Sequence, residues 1–265
     1  ALLLALRPTY TSFALSQTNF LVFALVLVAW RWPQRAAAGI CLACASIAKP
    51  LLLPLLIPLC LRGQRRVLAA AALTVIALSA ATGFAYGIEP FASYLFDNPV
   101  ARRPDWVYEI SENQSLLAVL VRLSAHDFAA GTPLLQPLYL SGALVMIAVL
   151  IWLARRTEAD SATVLPLALA TALLLYPQSW EHYTVVLILP MMLLWQQREL
   201  LRLSPYAAAL LMALLYALLR YHEGTTAIVA TATAWILLAT LGWRAVRVAR
   251  LAVLSSQPPA ASLAG

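Results

Sequence analysis

Long apolar runs, separated by short stretches of arginine, proline and polar residues, set the pattern of the chain. Runs over 17–30, 36–48, 51–61, 67–86, 135–153, 161–176, 184–195, 206–219 and 227–243 predict nine membrane segments. A helix needs about 20 apolar residues to cross a bilayer, and fewer where it is broken or buried in protein. Residues 1–6 read as the end of one more helix. The segments 36–48 and 51–61 meet at Lys49 and Pro50, and Pro54 and Pro58 follow, which predicts a kinked or re-entrant pair. One long polar stretch, 87–134, holds an apolar pattern over 115–123 that predicts a short helix lying in the interface. The prediction is an all-α, polytopic transmembrane helical bundle over residues 1–250. A disordered tail over 251–265 follows, rich in small residues and carrying Pro258 and Pro259.

Composition sharpens this picture. Hydrophobic residues make up 63% of the 265 and charged residues 11%, with a mean hydropathy of +0.82. That excludes an ordinary soluble domain, where about a quarter of residues are charged. The net charge of +7 would point to nucleic acid in a soluble protein. Here the distribution of arginine accounts for it. If the loop at 62–66 is cytoplasmic and each segment crosses once, Arg31, Arg35, Arg62, Arg65, Arg66, Arg155, Arg156, Arg198, Arg202, Arg244, Arg247 and Arg250 all fall inside, twelve of the 18 basic residues. No nucleic-acid partner is implied, and no nucleic-acid module or glycine-rich phosphate loop is present. The abundance of Ala, Leu and Arg suits a GC-rich bacterial genome, so the expected location is a bacterial plasma membrane with the C-terminus cytoplasmic.

The opposite face collects the remaining polar chemistry. His126, His182 and His222 all fall there, together with eight of the 11 acidic residues: Glu89, Asp97, Asp105, Glu109, Glu112, Asp127, Glu181 and Glu223. A proton-coupled carrier would bury carboxylates near the midplane of its helices. Gathering them at one water-facing side favours a reaction site at the outer surface.

Four places carry candidate chemistry. Gln17 and Asn19 open the first complete helix, where a carboxamide can bind a ligand hydroxyl or cap helix N–H groups. Lys49, the only lysine, stands at a break between apolar segments, where an ammonium can hold a phosphate or snorkel to the interface. In the polar stretch, Arg102, Arg103 and Arg122 can clamp a lipid phosphate, with Asn113 and Trp106 nearby. Trp180, Glu181 and His182 share a tight turn where an aromatic face can stack on a sugar and an imidazole can donate to a phosphate oxygen. Cys41 and Cys44 have the spacing of a redox pair but lie among small residues in mid-helix, which predicts packing. Three scattered histidines predict no metal site.

Taken in order, these elements resemble glycosyltransferase family 87. The stretch Leu15, Ser16, Gln17, Thr18, Asn19 is similar to the family's G-Q-x-N, with Ser16 in place of glycine. GICLACASIAKP, from Gly39 to Pro50, resembles its G-x-x-x-x-x-A-x-x-x-K-P segment. Asn113, Gln114, Ser115 and Leu116 with Arg122, then PQSWEHY from Pro177 to Tyr183, look like its N-Q-S-L and P-x-S-W-x-H-H/Y elements. The resemblance runs from about residue 10 to 245. It implies a GT-C type, metal-independent, inverting enzyme that needs no cofactor. Such an enzyme moves a hexose, mannose above all, from a polyprenyl-phosphate donor to a hydroxyl of a glycolipid or glycan at the extracytoplasmic face. It places Lys49, Arg122 and His182 around the donor phosphate, and Gln17, Asn19 and Asn113 at the sugar pocket. The secondary candidates are Arg102, Arg103, Trp180 and Glu181. The family's general base is an aspartate in the first extracytoplasmic loop. The chain opens on Ala1 within an apolar run, so that loop is expected to lie in a missing N-terminal segment and a chain without it to be inactive. Asp97, Asp105 and Glu181 are carboxylates on the right face, and no motif makes any of them the base.

Two other readings share parts of this pattern. A carrier or flippase for lipid-linked sugars would need a polar path through the bilayer, and the helices after residue 135 offer little beyond Ser and Thr. A non-catalytic assembly subunit would leave the clustered histidines and acids as coincidence.

Overall fold

A computed structural model describes residues 19–49, 54–61, 64–89, 92, 109, 113–123, 128–156, 164–176, 187–220 and 226–255. Every regular element among them is a helix: α1 (Asn19–Arg31), α2 (Ala36–Ala48), α3 (Leu56–Leu61), α4 (Arg65–Tyr86), α5 (Leu116–Leu123), α6 (Phe128–Arg156), α7 (Val164–Leu175), α8 (Ile188–Gln196), α9 (Pro205–Arg220) and α10 (Thr226–Ser255). The predicted all-helical class holds for the described residues. Three helices reach spanning length with an apolar window, over Arg65–Tyr86, Leu135–Arg156 and Ile228–Val248. Four shorter apolar helices accompany them, at Asn19–Arg31, Ala36–Ala48, Val164–Leu175 and Pro205–Ala217. The chain is a helical membrane protein. Of the nine expected segments, three are of full spanning length among the described residues.

Proline explains most of the differences in boundary. The expected segment 51–61 is α-helical only from Leu56, after a 3-10 turn at residues 54–55. Pro58 then falls in the first turn of α3, where its missing N–H has no intrahelical acceptor to lose. The polar stretch expected over 87–134 is shorter than read, because α6 begins at Phe128. Gly131, Pro133 and Pro137 resemble loop residues in sequence, yet the helix continues through them, as membrane helices do where neighbours satisfy the freed backbone groups. Ser204 caps α9, its Oγ accepting the N–H of Ala207 at 3.2 Å, with Pro205 at the first helical position. At the other end of the chain α10 continues to Ser255, past residue 251 where the tail was expected to begin.

Packing divides the bundle into two groups that share one apolar core. In the first, α1 and α2 form a hairpin through residues 32–35, and α2 lies along α4. Gly39 makes the second contact possible: a Cβ there would run into the backbone carbonyl of Val67, with the N of Ala71 also 3.0 Å away. Close approach of backbones through small residues is the usual basis of helix association in lipid. Gly39, Leu42, Ala43 and Ala45 are therefore the packing residues of GICLACASIAKP. Cys41 and Cys44 are free thiols on the same helix.

The second group surrounds α7, which is buried along nearly its whole length from Val164 to Leu174. Consecutive helices run in opposite directions. Tyr139 in the first half of α6 donates to the carbonyl of Leu175 at the end of α7 (2.6 Å). At the opposite end, Leu153 near the end of α6 fills the space beside Gly242 in α10, and Arg244 donates to the carbonyl of Leu200 after α8 (3.0 Å). The arginines at 155–156, 198–202 and 244–247 therefore share one end. By contrast, α4 buries only Val67 and Ala71 and exposes Leu73, Ile76 and Phe84. A helix apolar on its outward face needs lipid or protein around it.

Candidate functional site

Asn113, Gln114 and Ser115 are buried to within 2% of complete exclusion from solvent. Three buried polar residues in a row require local partners, because an unpaired buried polar group costs about 1–3 kcal/mol. The structure shows how each is engaged. Asn113 Oδ1 accepts the N–H of Ser115 at 3.1 Å, closing a tight turn. Ser115 is the N-cap of α5, its Oγ accepting the N–H of Ala118 at 3.1 Å. Gln114 points the other way: its Oε1 accepts the N–H of Ile228 at 3.1 Å, in the first turn of α10. One of the amides that a helix start leaves without an intrahelical acceptor is thus satisfied from a residue 114 positions away.

Arg122 returns to the same turn from the last turn of α5. Its Nη1 donates to the Asn113 carbonyl at 2.9 Å, and its Nε and Nη2 are closed off from solvent. A guanidinium so desolvated interacts strongly with any anion that reaches it. Helix α5 is amphipathic as expected, with Ala118 and Val121 buried and Leu123 exposed. Leu116, the last residue of the Asn-Gln-Ser-Leu element, packs against Gly142 of α6.

The wall beside this turn comes from three helices. Met146, Leu174 and Ile228 form a small buried cluster with Val119, Leu175 and Trp235 around it. Trp235 donates its indole N–H to Thr171 Oγ1 at 2.9 Å, and the Thr171 hydroxyl in turn donates to the Leu167 carbonyl at 2.9 Å. Leu175 and Tyr176, the last described residues before Pro177, stand at this end.

Lys49 follows the last residue of α2, its N–H bonded to the Ala45 carbonyl at 2.8 Å. The side chain is half-buried, and burial lowers the pKa of its ammonium from the ordinary lysine value. Asn19 is the first residue of α1 and is buried. Because α1 and α2 form a hairpin, Asn19 and Lys49 share the end opposite residues 32–35.

Of the predicted site residues, the structure joins Asn113 to Arg122 directly and sets Asn19 and Lys49 at one end of a hairpin. Gln17, Arg102, Arg103, Trp180, Glu181 and His182 lie outside the described residues, as do Asp97 and Asp105. Among the described residues no group of three or more His, Cys, Asp or Glu is arranged to hold a metal ion. Gln114, Tyr139, Thr171 and Trp235 were not among the sequence candidates. Their signal is that of polar side chains inside apolar segments, which must find partners there.

Neither a curated protein nor a solved structure matches the chain. The profile of glycosyltransferase family 87 matches residues 1–177. That stretch contains Asn19, Lys49 and the turn from Asn113 to Arg122, and it stops at Pro177, so Trp180, Glu181 and His182 lie beyond it. With two thirds of its length covered, the chain belongs to glycosyltransferase family 87 and is a membrane glycosyltransferase.

Proposed function

We propose that this glycosyltransferase moves a hexose, mannose in the first instance, from a polyprenyl-phosphate donor to a hydroxyl of a glycolipid or glycan. The reaction takes place at the extracytoplasmic face of a bacterial plasma membrane. The observation that carries the reading is the Arg122 guanidinium, with two of its three nitrogens closed off from solvent and the third held to the Asn113 carbonyl, at the end of its group away from the arginine-rich loops. The positive-inside rule assigns those loops to the cytoplasm and the Arg122 end to the opposite side.

In the proposed reaction the bond between the sugar's anomeric carbon and the phosphate oxygen breaks as the acceptor oxygen bonds to that carbon from the opposite face. The acceptor proton passes to a general base, and the negative charge gathers on the departing polyprenyl phosphate. Fixed cations lower the barrier by meeting charge that develops only at that stage. Arg122 and Lys49 are the described cations suited to this, and His182 is the third by its place in PQSWEHY. Asn19 and Gln17 would contact sugar hydroxyls. The side-chain oxygen of Asn113 is engaged in its own turn, so this residue acts chiefly by holding Arg122.

Bacterial membranes containing the full-length protein, supplied with radiolabelled polyprenyl-phosphate mannose and a glycolipid extract, test the reading. Label should move into glycolipid, and Lys49→Ala, Arg122→Lys and His182→Ala should each slow it by about 100-fold, the scale of losing one charge-stabilising group. If no label moves from this or any other polyprenyl-phosphate sugar while the protein is folded, the transferase reading of the substrate fails, and sugar-lipid transport should be measured instead.

A further inference from the structure

A second charged site lies at the other end of the bundle, wholly outside the stretch matched by the family profile. Between the turn after α8 and the end of α10 is a cavity of about 370 Å³ lined by Leu200, Arg202, Trp243, Arg244, Arg247 and Val248. Three arginines line one small space. Two are held in place: Arg244 by its bond to the Leu200 carbonyl (3.0 Å), and Arg247 by stacking over the Trp243 ring, 4.6 Å from its centroid.

The third, Arg202, is the most informative. The N–H of Leu203 bonds to the Arg198 carbonyl (3.0 Å) and the N–H of Arg202 to the Glu199 carbonyl (2.9 Å). This pair of bonds is the Schellman ending of a helical turn, in which the next-to-last residue takes the left-handed conformation and is usually glycine. Arg202 occupies that position with φ of 57° and is the one described non-glycine residue with positive φ. Local stability favours glycine there. With arginine in its place, the turn carries an exposed side chain that lines the cavity.

Depth identifies the ligand. The apolar run of α10 over residues 227–243 ends where Arg244 and Arg247 begin, and its 17 residues rise about 25 Å, close to the hydrocarbon thickness of a bilayer. Trp243 and the arginines that follow it therefore bring the cavity to the headgroup level. Basic pockets between helices at this depth suit lipid phosphates. We propose that this cavity is a binding site for the phosphodiester headgroup of an anionic phospholipid, distinct from the transfer site.

Native mass spectrometry of the full chain, released from phosphatidylcholine nanodiscs doped with phosphatidylglycerol, tests the site by counting retained lipid. Phosphatidylglycerol should be retained in preference to phosphatidylcholine. Arg202→Gly and Arg247→Gln should each weaken retention by about fivefold, the effect of one arginine near a charged headgroup. Arg202→Gly should melt no lower than the parent, because glycine suits the turn, so its loss of lipid cannot come from unfolding. Arg65→Gln with Arg66→Gln removes two exposed arginines from another basic loop and should leave retention within about twofold. An equal loss in that control pair would show diffuse surface attraction and overturn the proposal. Displacement of the lipid by inorganic phosphate would overturn it as well, by showing a site for a soluble anion.

Discussion

Arginine serves opposite purposes at the two ends of this molecule. At the loop-rich end, arginines lie over tryptophans near the surface: Arg31 and Arg35 at 6.0 and 5.8 Å from the Trp32 ring, Arg198 at 5.2 Å from Trp195, and Arg247 at 4.6 Å from Trp243. Each sets its guanidinium over an aromatic face, an arrangement suited to the membrane boundary. At the other end, Arg122 is turned inward onto a backbone carbonyl within a buried polar turn. The first kind of arginine orients the protein and meets lipid. The second is expensive to desolvate and is supported by a local structure built around it. A charge kept at that expense marks the end where chemistry is expected.

The comparison breaks most readily at Arg122. Replacing it with Met leaves the Asn113 carbonyl without its donor, and should destabilise the protein by about 3 kcal/mol in a reversible denaturation series in detergent. Gln114→Leu comes next. It strips the acceptor from the first turn of α10 and should cost about 2 kcal/mol. The specific readout is hydrogen exchange at the Ile228 amide, which should quicken more than that of amides in mid-helix. Unchanged exchange there would mean that the turn before α5 and the start of α10 are not fastened at this point. Trp235→Phe removes the indole donor to Thr171 while keeping an aromatic side chain, and a loss of at least about 1 kcal/mol is expected in the same series.

These contrasts were legible in the sequence to different degrees. Apolar run length located α1, α2, α4 and α9 to within about two residues at each end, an accuracy normal for helix boundaries. It failed over residues 128–134, where Gly131 and Pro133 imitate a loop, and over 54–55, where proline imposes a 3-10 turn. The capping role of Ser115 follows from local spacing alone. The pairing of Gln114 with Ile228, and of Trp235 with Thr171, does not. Each depends on how distant helices set their mutual register, which is decided by packing such as that of Leu153 against Gly242 and of α2 against Gly39's bare backbone. Lys49 and Arg122 stand out in the sequence as charges in apolar surroundings, whereas the backbone carbonyls that Arg122 and Arg244 bind, of Asn113 and Leu200, required the fold.

The smallest expected effect sharpens the contrast from the other side. Arg198 has the partners that make a surface arginine look important: the Trp195 ring, the Trp195 carbonyl at 3.2 Å and the carboxylate of Glu199 at 3.9 Å. The Glu199 side chain is 89% exposed, so water and salt screen that pair almost completely. The contribution of Arg198 that matters to the fold is its backbone carbonyl, which receives the N–H of Leu203 and survives any change of side chain. Arg198→Gln should therefore shift stability by less than about 0.5 kcal/mol. Measured beside Arg122→Met in one denaturation series, it tests whether burial decides the worth of an arginine here. A loss at Arg198 comparable to that at Arg122 would mean that the aromatic and backbone contacts, present at the basic end in several copies, carry the energy instead.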